Sequence, residues 1–272
     1  MKEYPVVLSI AGSDSSGGAG IQADIKTMSA IGTFATTAIT AITAQNTTGV
    51  TGIQGVEPKI VGQQIDAVFT DLHPKSVKIG MLFSKDIINM VAERLRYYGP
   101  EYIVLDPVMI STSGSKLIAD DAIETMISKL VPLASLLTPN KFEAELLSGI
   151  KIDNFPQIEE AANRIIHLGC KSVLIKGGHF NNDEMADYLF SQNGLEATFP
   201  GKFVNTRNTH GTGCTLSSAI AAYLALGKPL NEAVSSAKSY LQKALENGAD
   251  VTVGSGHGPL NHFFNPQKLI AQ

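Results

Sequence analysis

Val6-Val7-Leu8-Ser9-Ile10 runs into Ala11-Gly12-Ser13-Asp14-Ser15-Ser16-Gly17-Gly18-Ala19-Gly20, after which Ile21, Ile25, Met28 and Ile31 recur at helical spacing with Asp24 and Lys26 between them. The first run is short, continuously apolar and β-branched, as a strand buried on both faces of a parallel sheet should be. The second is a polar Gly/Ser loop and the third an amphipathic helix. Strand, loop and helix in this order are the unit of an α/β fold. The loop carries neither the GxxxxGK[ST] phosphate loop nor the GxGxxG dinucleotide fingerprint. It reads either as one wall of a small-molecule pocket at the strand's C-terminal end or as a solvated turn.

The same alternation continues outward. Residues 33–42, with Phe34, Ile39 and Ile42, predict a second strand, and the polar stretch Gln45–Gly52 has no apolar period and reads as a flap. Pro58 opens a helix bearing Ile60, Val61, Ile65, Val68 and Phe69. Ser76-Val77-Lys78-Ile79-Gly80 is a strand leading to Met81, and Ile87, Ile88, Val91 and Leu95 mark the next helix. Tyr102-Ile103-Val104-Leu105 ends in Asp106-Pro107. Asp106 either faces a site at the sheet's C-terminal edge or caps a turn. A helix over 119–130 and a strand at Ser135–Leu137 follow. Thr138-Pro139-Asn140-Lys141-Phe142-Glu143 then opens a helix in which Glu143 reads equally as a capping-box partner of Asn140 or as a carboxylate facing Mg²⁺ through water. After a helix over 157–168, the strand Ser172–Ile175 ends in Lys176-Gly177-Gly178-His179, where Lys176 is either a phosphate contact or an exposed charge. Ala186–Phe190 and Ala197–Phe199 around Asn193-Gly194 read as a hairpin, and helices are expected over 213–226 and 231–247.

The expected fold is therefore one α/β domain over residues 1–272, a mostly parallel sheet with helices on both faces. The 272 residues are 44% hydrophobic, enough for a large core, and the net charge of −4 gives no footprint for nucleic acid. No run approaches the ~20 apolar residues of a membrane helix. Only Cys170 and Cys214 occur, and no signal-peptide pattern precedes them, so reduced thiols and a cytoplasmic location are expected. Cys170 reads as an inert core thiol.

Asn208-Thr209-His210-Gly211-Thr212-Gly213-Cys214-Thr215 precedes a run of small residues at helical spacing. Glycines at 211 and 213 permit backbone angles and close approaches that side chains forbid, and a helix start offers unpaired N–H groups and a positive dipole end. The stretch is either an anion seat or a Gly-rich turn into a buried helix.

Taken with Asp106-Pro107-Val108-Met109, Thr138-Pro139-Asn140-x-x-Glu143, the loop Ala11–Asp24 and the closing Gly256-His257-Gly258-Pro259-Leu260-Asn261-His262, this stretch resembles the ribokinase-like kinases, and within them the hydroxymethylpyrimidine/phosphomethylpyrimidine kinases. The resemblance spans almost the whole chain in order. It implies a three-layer ribokinase-like sandwich, ATP as co-substrate with Mg²⁺, a homodimer, and phosphorylation of 4-amino-5-hydroxymethyl-2-methylpyrimidine and then of its monophosphate. It places the pyrimidine near Gly12, Asp24, Gln45 and Met81, with Asp24 and Gln45 bonding its polar edge. It assigns the Mg²⁺ of ATP to Asp106 and Glu143, mostly through water, the nucleotide phosphates to Lys176, and the transferred or substrate phosphate to Lys238. Gly211, Thr212 and Gly213 would form the anion hole. Cys214 stands where the wider superfamily carries Asp as the base. Relatives carry a lysine after the Asp106 motif, whereas Ile110-Ser111-Thr112-Ser113-Gly114 has none before Lys116. A pyridoxal kinase with the same motifs and a catalytically inactive nucleotide-binding protein are the rival readings.

Overall fold

Val7, Leu8, Ser9 and Ile10 are all fully buried, as a strand covered on both faces requires. This strand, β1 (Val6–Asp14), continues beyond its apolar run into the Gly/Ser loop. It leads to α1 (Gly20–Ile31), β2 (Phe34–Asn46), β3 (Gly49–Gly55), α2 (Pro58–Asp71), β4 (Ser76–Ile79), α3 (Lys85–Tyr98) and β5 (Tyr102–Leu105). Next come α4 (Asp120–Lys129), β6 (Leu136–Leu137), α5 (Lys141–Ser148), α6 (Phe155–His167) and β7 (Ser172–Ile175). The chain finishes with β8 (Ala186–Ser191), β9 (Gly194–Pro200), α7 (Thr212–Ala225) and α8 (Leu230–Glu246). The computed structural model describes residues 2–109, 120–177 and 185–272. The segment Ile110–Gly114 with Lys116, and Gly178 and His179 after β7, lie outside these.

The strands form one nine-stranded sheet in the order β3-β2-β1-β4-β5-β6-β7-β8-β9. β2, β1, β4, β5, β6 and β7 are parallel. β3 at one edge and β8 and β9 at the other are antiparallel. The chain leaves β1 for β2 on one side and returns to β4 on the other, so the order reverses at β1. Such a reversal opens a crevice at the carboxyl ends of the strands.

The stretch 45–52 is not a loose flap. Asn46 pairs with Gly49, Ala44 with Gly52 and Ala41 with Gly55 in the β2–β3 ladder. β3 is an edge strand with no fully buried residue and three glycines among seven residues, so backbone pairing defines it and no apolar alternation marks it.

Alternate residues of the central strands point to opposite faces. Leu8, Ile10, Val77, Ile79, Leu105, Leu137 and Val173 join one core with Val61 and Ile65 of α2, Val91 of α3, Met126 of α4 and Ile165 of α6. Val7, Val104, Leu136 and Leu174 join the other with Met28 of α1, Leu216 and Ile220 of α7 and Val234 of α8. The result is three layers, helix on sheet on helix. α7 is buried on almost every side, and packs on α1, α8, β4 and β5. Its serines and alanines let these neighbours approach closely, and that depth brings its N-terminus under the crevice.

Candidate active site

The carboxyl ends of the strands open onto a cavity of about 1130 Å³. Gly12, Gln45 and Met81 line it where β1, β2 and β4 end. Asp106, Gly211, Thr212, Gly213 and Cys214 lie at its middle. Glu143, Lys176 and Lys238 lie toward β6, β7 and β8. Of the residues expected in a site, Asp24 alone does not line it.

The turn into α7 has the geometry of an anion seat. Gly211 sits at φ 85° as the N-cap and no side chain caps the helix. A Cβ at Gly211 would collide with the Gly18 carbonyl, so glycine is needed there for both conformation and space. A Cβ at Gly213 would lie 3.4 Å from an Asp106 carboxylate oxygen and 3.5 Å from Lys176 Nζ. The first-turn N–H groups, which have no partner within a helix, are thus presented beside a carboxylate and an ammonium.

Asp106 follows β5 and is almost fully buried. Its Oδ1 accepts from Lys176 Nζ at 3.0 Å and Thr138 Oγ1 at 3.2 Å, and its Oδ2 from Ser217 Oγ at 3.3 Å. Lys176 also lies 4.0 Å from Glu143 Oε2. Burial opposes the Lys176 ammonium, but Asp106 and Glu143 outweigh it and raise its pKa. Glu143 forms the capping box of α5: its Oε2 accepts from Asn140 N at 2.8 Å while Asn140 Oδ1 accepts from Glu143 N at 3.0 Å. The same carboxylate lines the cavity, so the two readings of Glu143 are compatible. Burial pushes its pKa up to about 7, against the pull of Lys176 and with a further push from Asp106. Among the described residues no three His, Cys, Asp or Glu side chains gather as a metal cage.

Lys238 lines the cavity but is paired, its Nζ 2.8 Å from Asp187 Oδ2. Asp187 Oδ1 in turn accepts from Gly177 N at 2.9 Å, which ties α8 to β8 and to the end of β7.

Asp24 differs from expectation. It is fully buried at the base of the site, and its carboxylate is consumed by protein donors. Lys78 Nζ reaches its two oxygens at 2.9 and 2.8 Å, Ser9 Oγ donates at 2.5 Å and Ser218 Oγ at 2.5 Å. No free lone pair faces the cavity for a heterocycle's edge. The sequence shows an acid one turn into a helix; it does not show the three donors that converge on it from β1, β4 and α7.

Cys214, one helical turn before Ser218, is half-buried beside this ion pair. Burial pushes its thiol up to about 11; Lys78 pulls it down, while Asp24 and Asp106 push it further up. Cys214 is therefore a neutral thiol at neutral pH.

Asp14 and His210 belong to the site although neither stood out among the candidates. Asp14 accepts from the N–H groups of Ser16 and Ala19, each at 2.8 Å, and so shapes the β1–α1 loop. His210 Nε2 lies 2.8 Å from Asp14 Oδ2 and 3.4 Å from the Gln45 amide nitrogen. Burial alone would raise the Asp14 pKa, but His210, Ser16 and Ala19 bring it down to about 2. The signal available in the sequence was the Asp14-x-Ser16 spacing, which favours a local side-chain turn.

Fold and site together are those of a ribokinase-like kinase, a catalyst of phosphoryl transfer to a small molecule. A solved pyridoxal kinase from Staphylococcus aureus has this architecture with a TM-score of 0.87 at 33% identity, covering 96% of this chain and 94% of that one. A phosphomethylpyrimidine kinase from Clostridium difficile 630 aligns with a TM-score of 0.80 at 48% identity, over 88% of this chain and 99% of its own. The hydroxymethylpyrimidine/phosphomethylpyrimidine kinase of Rhizobium meliloti is 49% identical over 259 residues, 95% of this chain and 97% of that protein. The profile of the phosphomethylpyrimidine kinase family matches residues 14–261. The chain belongs to the phosphomethylpyrimidine kinase family.

Proposed function

We propose that this kinase transfers the γ-phosphoryl group of ATP to the hydroxymethyl oxygen of 4-amino-5-hydroxymethyl-2-methylpyrimidine, and then phosphorylates the monophosphate to the diphosphate, in thiamine biosynthesis. The observation that carries it is the position of the Gly211–Cys214 turn between two unlike ends of one cavity. One end, at Gly12, Gln45 and Met81, suits a flat heterocycle with a polar edge. A Cβ at Gly12 would come within 2.8 Å of Met81 Sδ, so glycine and methionine shape a narrow slot. Gln45 offers its amide there in place of Asp24. The other end gathers Lys176, Lys238 and Glu143, next to Asp106 beside the turn, with the exposed Phe142 and Leu146 for an adenine.

Phosphoryl transfer depends on positioning and charge neutralisation more than on covalent chemistry. The turn N–H groups and Lys176 would hold the γ-phosphoryl in line with the alcohol and absorb its developing charge. Asp106 and Glu143 supply two carboxylates at one wall, too few for a protein cage but suited to Mg²⁺, which keeps water and phosphate ligands. When bound, Mg²⁺ would offset the negative charge of the triphosphate. Cys214 would take the alcohol proton. Because its thiol is neutral in the empty site, it would first lose its own proton to solvent, and the thiolate would then accept the alcohol proton as the oxygen closes on phosphorus.

The test is turnover of Cys214→Ala, Cys214→Ser and Cys214→Asp at saturating MgATP. The alanine variant should lose about 10²–10⁴-fold in kcat, the range for a positioned acid–base group. Near-native turnover would leave only the anion seat as the catalytic device.

Pyridoxal is the second reading, favoured by the TM-score of 0.87 to a pyridoxal kinase. Steady-state kinetics on the pyrimidine alcohol, its monophosphate and pyridoxal decide between them. Preference for pyridoxal by tenfold in kcat/KM, about 1.4 kcal/mol in transition-state binding, would reverse the assignment. A homodimer, a cytoplasmic location and a single catalytic domain over residues 1–272 complete the proposal. The single domain is supported by similarity over 95% of this chain to a relative that is itself covered over 97% of its length.

A further inference from the structure

Lys78 is among the largest fully buried side chains of the described residues. A lysine is rarely buried to this extent without an exacting reason, because its ammonium must be neutralised on the spot. Here Asp24 does so with both oxygens, at 2.9 and 2.8 Å. Among the described residues Asp24 is the one hydrogen-bond partner of Lys78, and its two oxygens take two of the three ammonium N–H groups. Lys78 nevertheless lines the catalytic cavity, together with Cys214.

The pair is locked from four elements. Ser9 of β1 and Ser218 of α7 each donate to Asp24 at 2.5 Å, Asp24 belongs to α1 and Lys78 to β4. Ser218 lies one turn beyond Cys214 on the same helix, so the network fixes the α7 start against the sheet. A Cβ at residue 80 would come within 2.9 Å of Lys78 Nζ, so Gly80 gives the ammonium its space at the top of β4. The charged groups that act on Cys214 are Lys78 from β4, Asp24 from α1 and Asp106 after β5. Lys78 is the cation of that set.

We propose that Lys78, pinned by Asp24, is the positioning residue that sets the reactivity of Cys214: it holds a fixed positive charge in the wall of the cavity that both residues line and, through Asp24 and Ser218, orients the first turn of α7. The proposal rests on the reading of Cys214 as the group that meets the alcohol. In the transferring complex the ammonium would stabilise the thiolate that Cys214 must become before it can take the alcohol proton. The carboxylate of Asp24 is a structural counter-ion, which explains its burial away from the substrate.

The proposal is tested without substrate, so that its failure is separate from failure of the assigned activity. The rate of alkylation of Cys214 by iodoacetamide is measured at fixed pH in a Cys170→Ser background, with folding checked by circular dichroism and thermal melting. Lys78→Met removes the cation at nearly constant volume and should slow alkylation tenfold or more. Asp24→Asn removes the anion and keeps the ammonium, and should accelerate it several-fold. Opposite effects of the two partners of one ion pair are what a merely structural role would not give. Unchanged rates in both folded variants, or slowing in both, would overturn the proposal. If Lys78→Met does not fold, Asp24→Asn decides alone: acceleration supports the proposal, and an unchanged or slower rate overturns it.

Discussion

Gly211 shows how much chemistry one missing side chain can carry. Its φ of 85° lies where other residues pay roughly 1–2 kcal/mol, and a Cβ would run into the Gly18 carbonyl of the β1–α1 loop. Gly211→Ala should therefore displace that loop, lower unfolding free energy by about 2 kcal/mol, and reduce kcat by about 10²–10³ as the anion seat distorts. Urea unfolding and kinetics at saturating MgATP check both. An unaltered kcat would mean that the turn does not hold the transferring phosphoryl. This turn was legible in the sequence because its geometry is local, a Gly-x-Gly at a helix start. Asp14 and His210 were not, because their contact spans 196 positions and each residue alone looks like a loop polar group. Asp24 was misplaced for the converse reason: its type was clear, but its orientation depends on Lys78, Ser9 and Ser218, which only the fold brings to it.

At the scale of the element, α5 joins stability to the site. Its capping box uses Glu143, and the same carboxylate stands 4.0 Å from Lys176 at the cavity wall. Asn140→Ala removes the acceptor of the Glu143 N–H and should cost about 1 kcal/mol. The backbone N–H of residue 140 still reaches the Glu143 carboxylate, but the uncapped first turn that carries this carboxylate frays, so the KM for MgATP should rise several-fold while the KM for the alcohol stays close to its original value. Parallel changes in both KM values would place the effect in general unfolding instead. The Asn140-x-x-Glu143 spacing made this cap readable in advance. The helices and buried strands were readable in the same way, because apolar period and length fix them. The β2–β3 hairpin was not, because an exposed glycine-rich edge strand has only backbone partners to declare it.

Across the whole molecule, the C-terminal segment is tied to α7 through a buried histidine. His262 Nε2 lies 3.0 Å from Thr215 Oγ1, next to Cys214, and its carbonyl accepts from Tyr240 of α8 at 2.6 Å. A neutral ring accepts the Thr215 hydroxyl; a protonated ring could not. Burial lowers the His262 pKa from 6.5 to about 4, with a smaller contribution from Lys26. Above the unfolded value of 6.5 the group is neutral in both states and contributes no pH dependence. Between 6.5 and about 4 the unfolded chain binds a proton that the folded chain refuses, so stability falls as pH falls. The full loss is on the order of 3 kcal/mol, reached near pH 4, below which both states are protonated. Asp14, held at about 2 when folded, adds a second loss between its ordinary 3.8 and that value. His262→Gln should be less stable than the parent at pH 7 by about 1 kcal/mol, for the lost hydrogen bond. That deficit should shrink and reverse as pH is lowered to about 4.5, because the variant has no proton to refuse. Urea midpoints of parent and variant across pH 7 to 4.5 measure the crossing. Parallel curves would show that His262 titrates alike in the folded and unfolded chain, and that the joint between the C-terminal segment and α7 does not depend on a neutral ring.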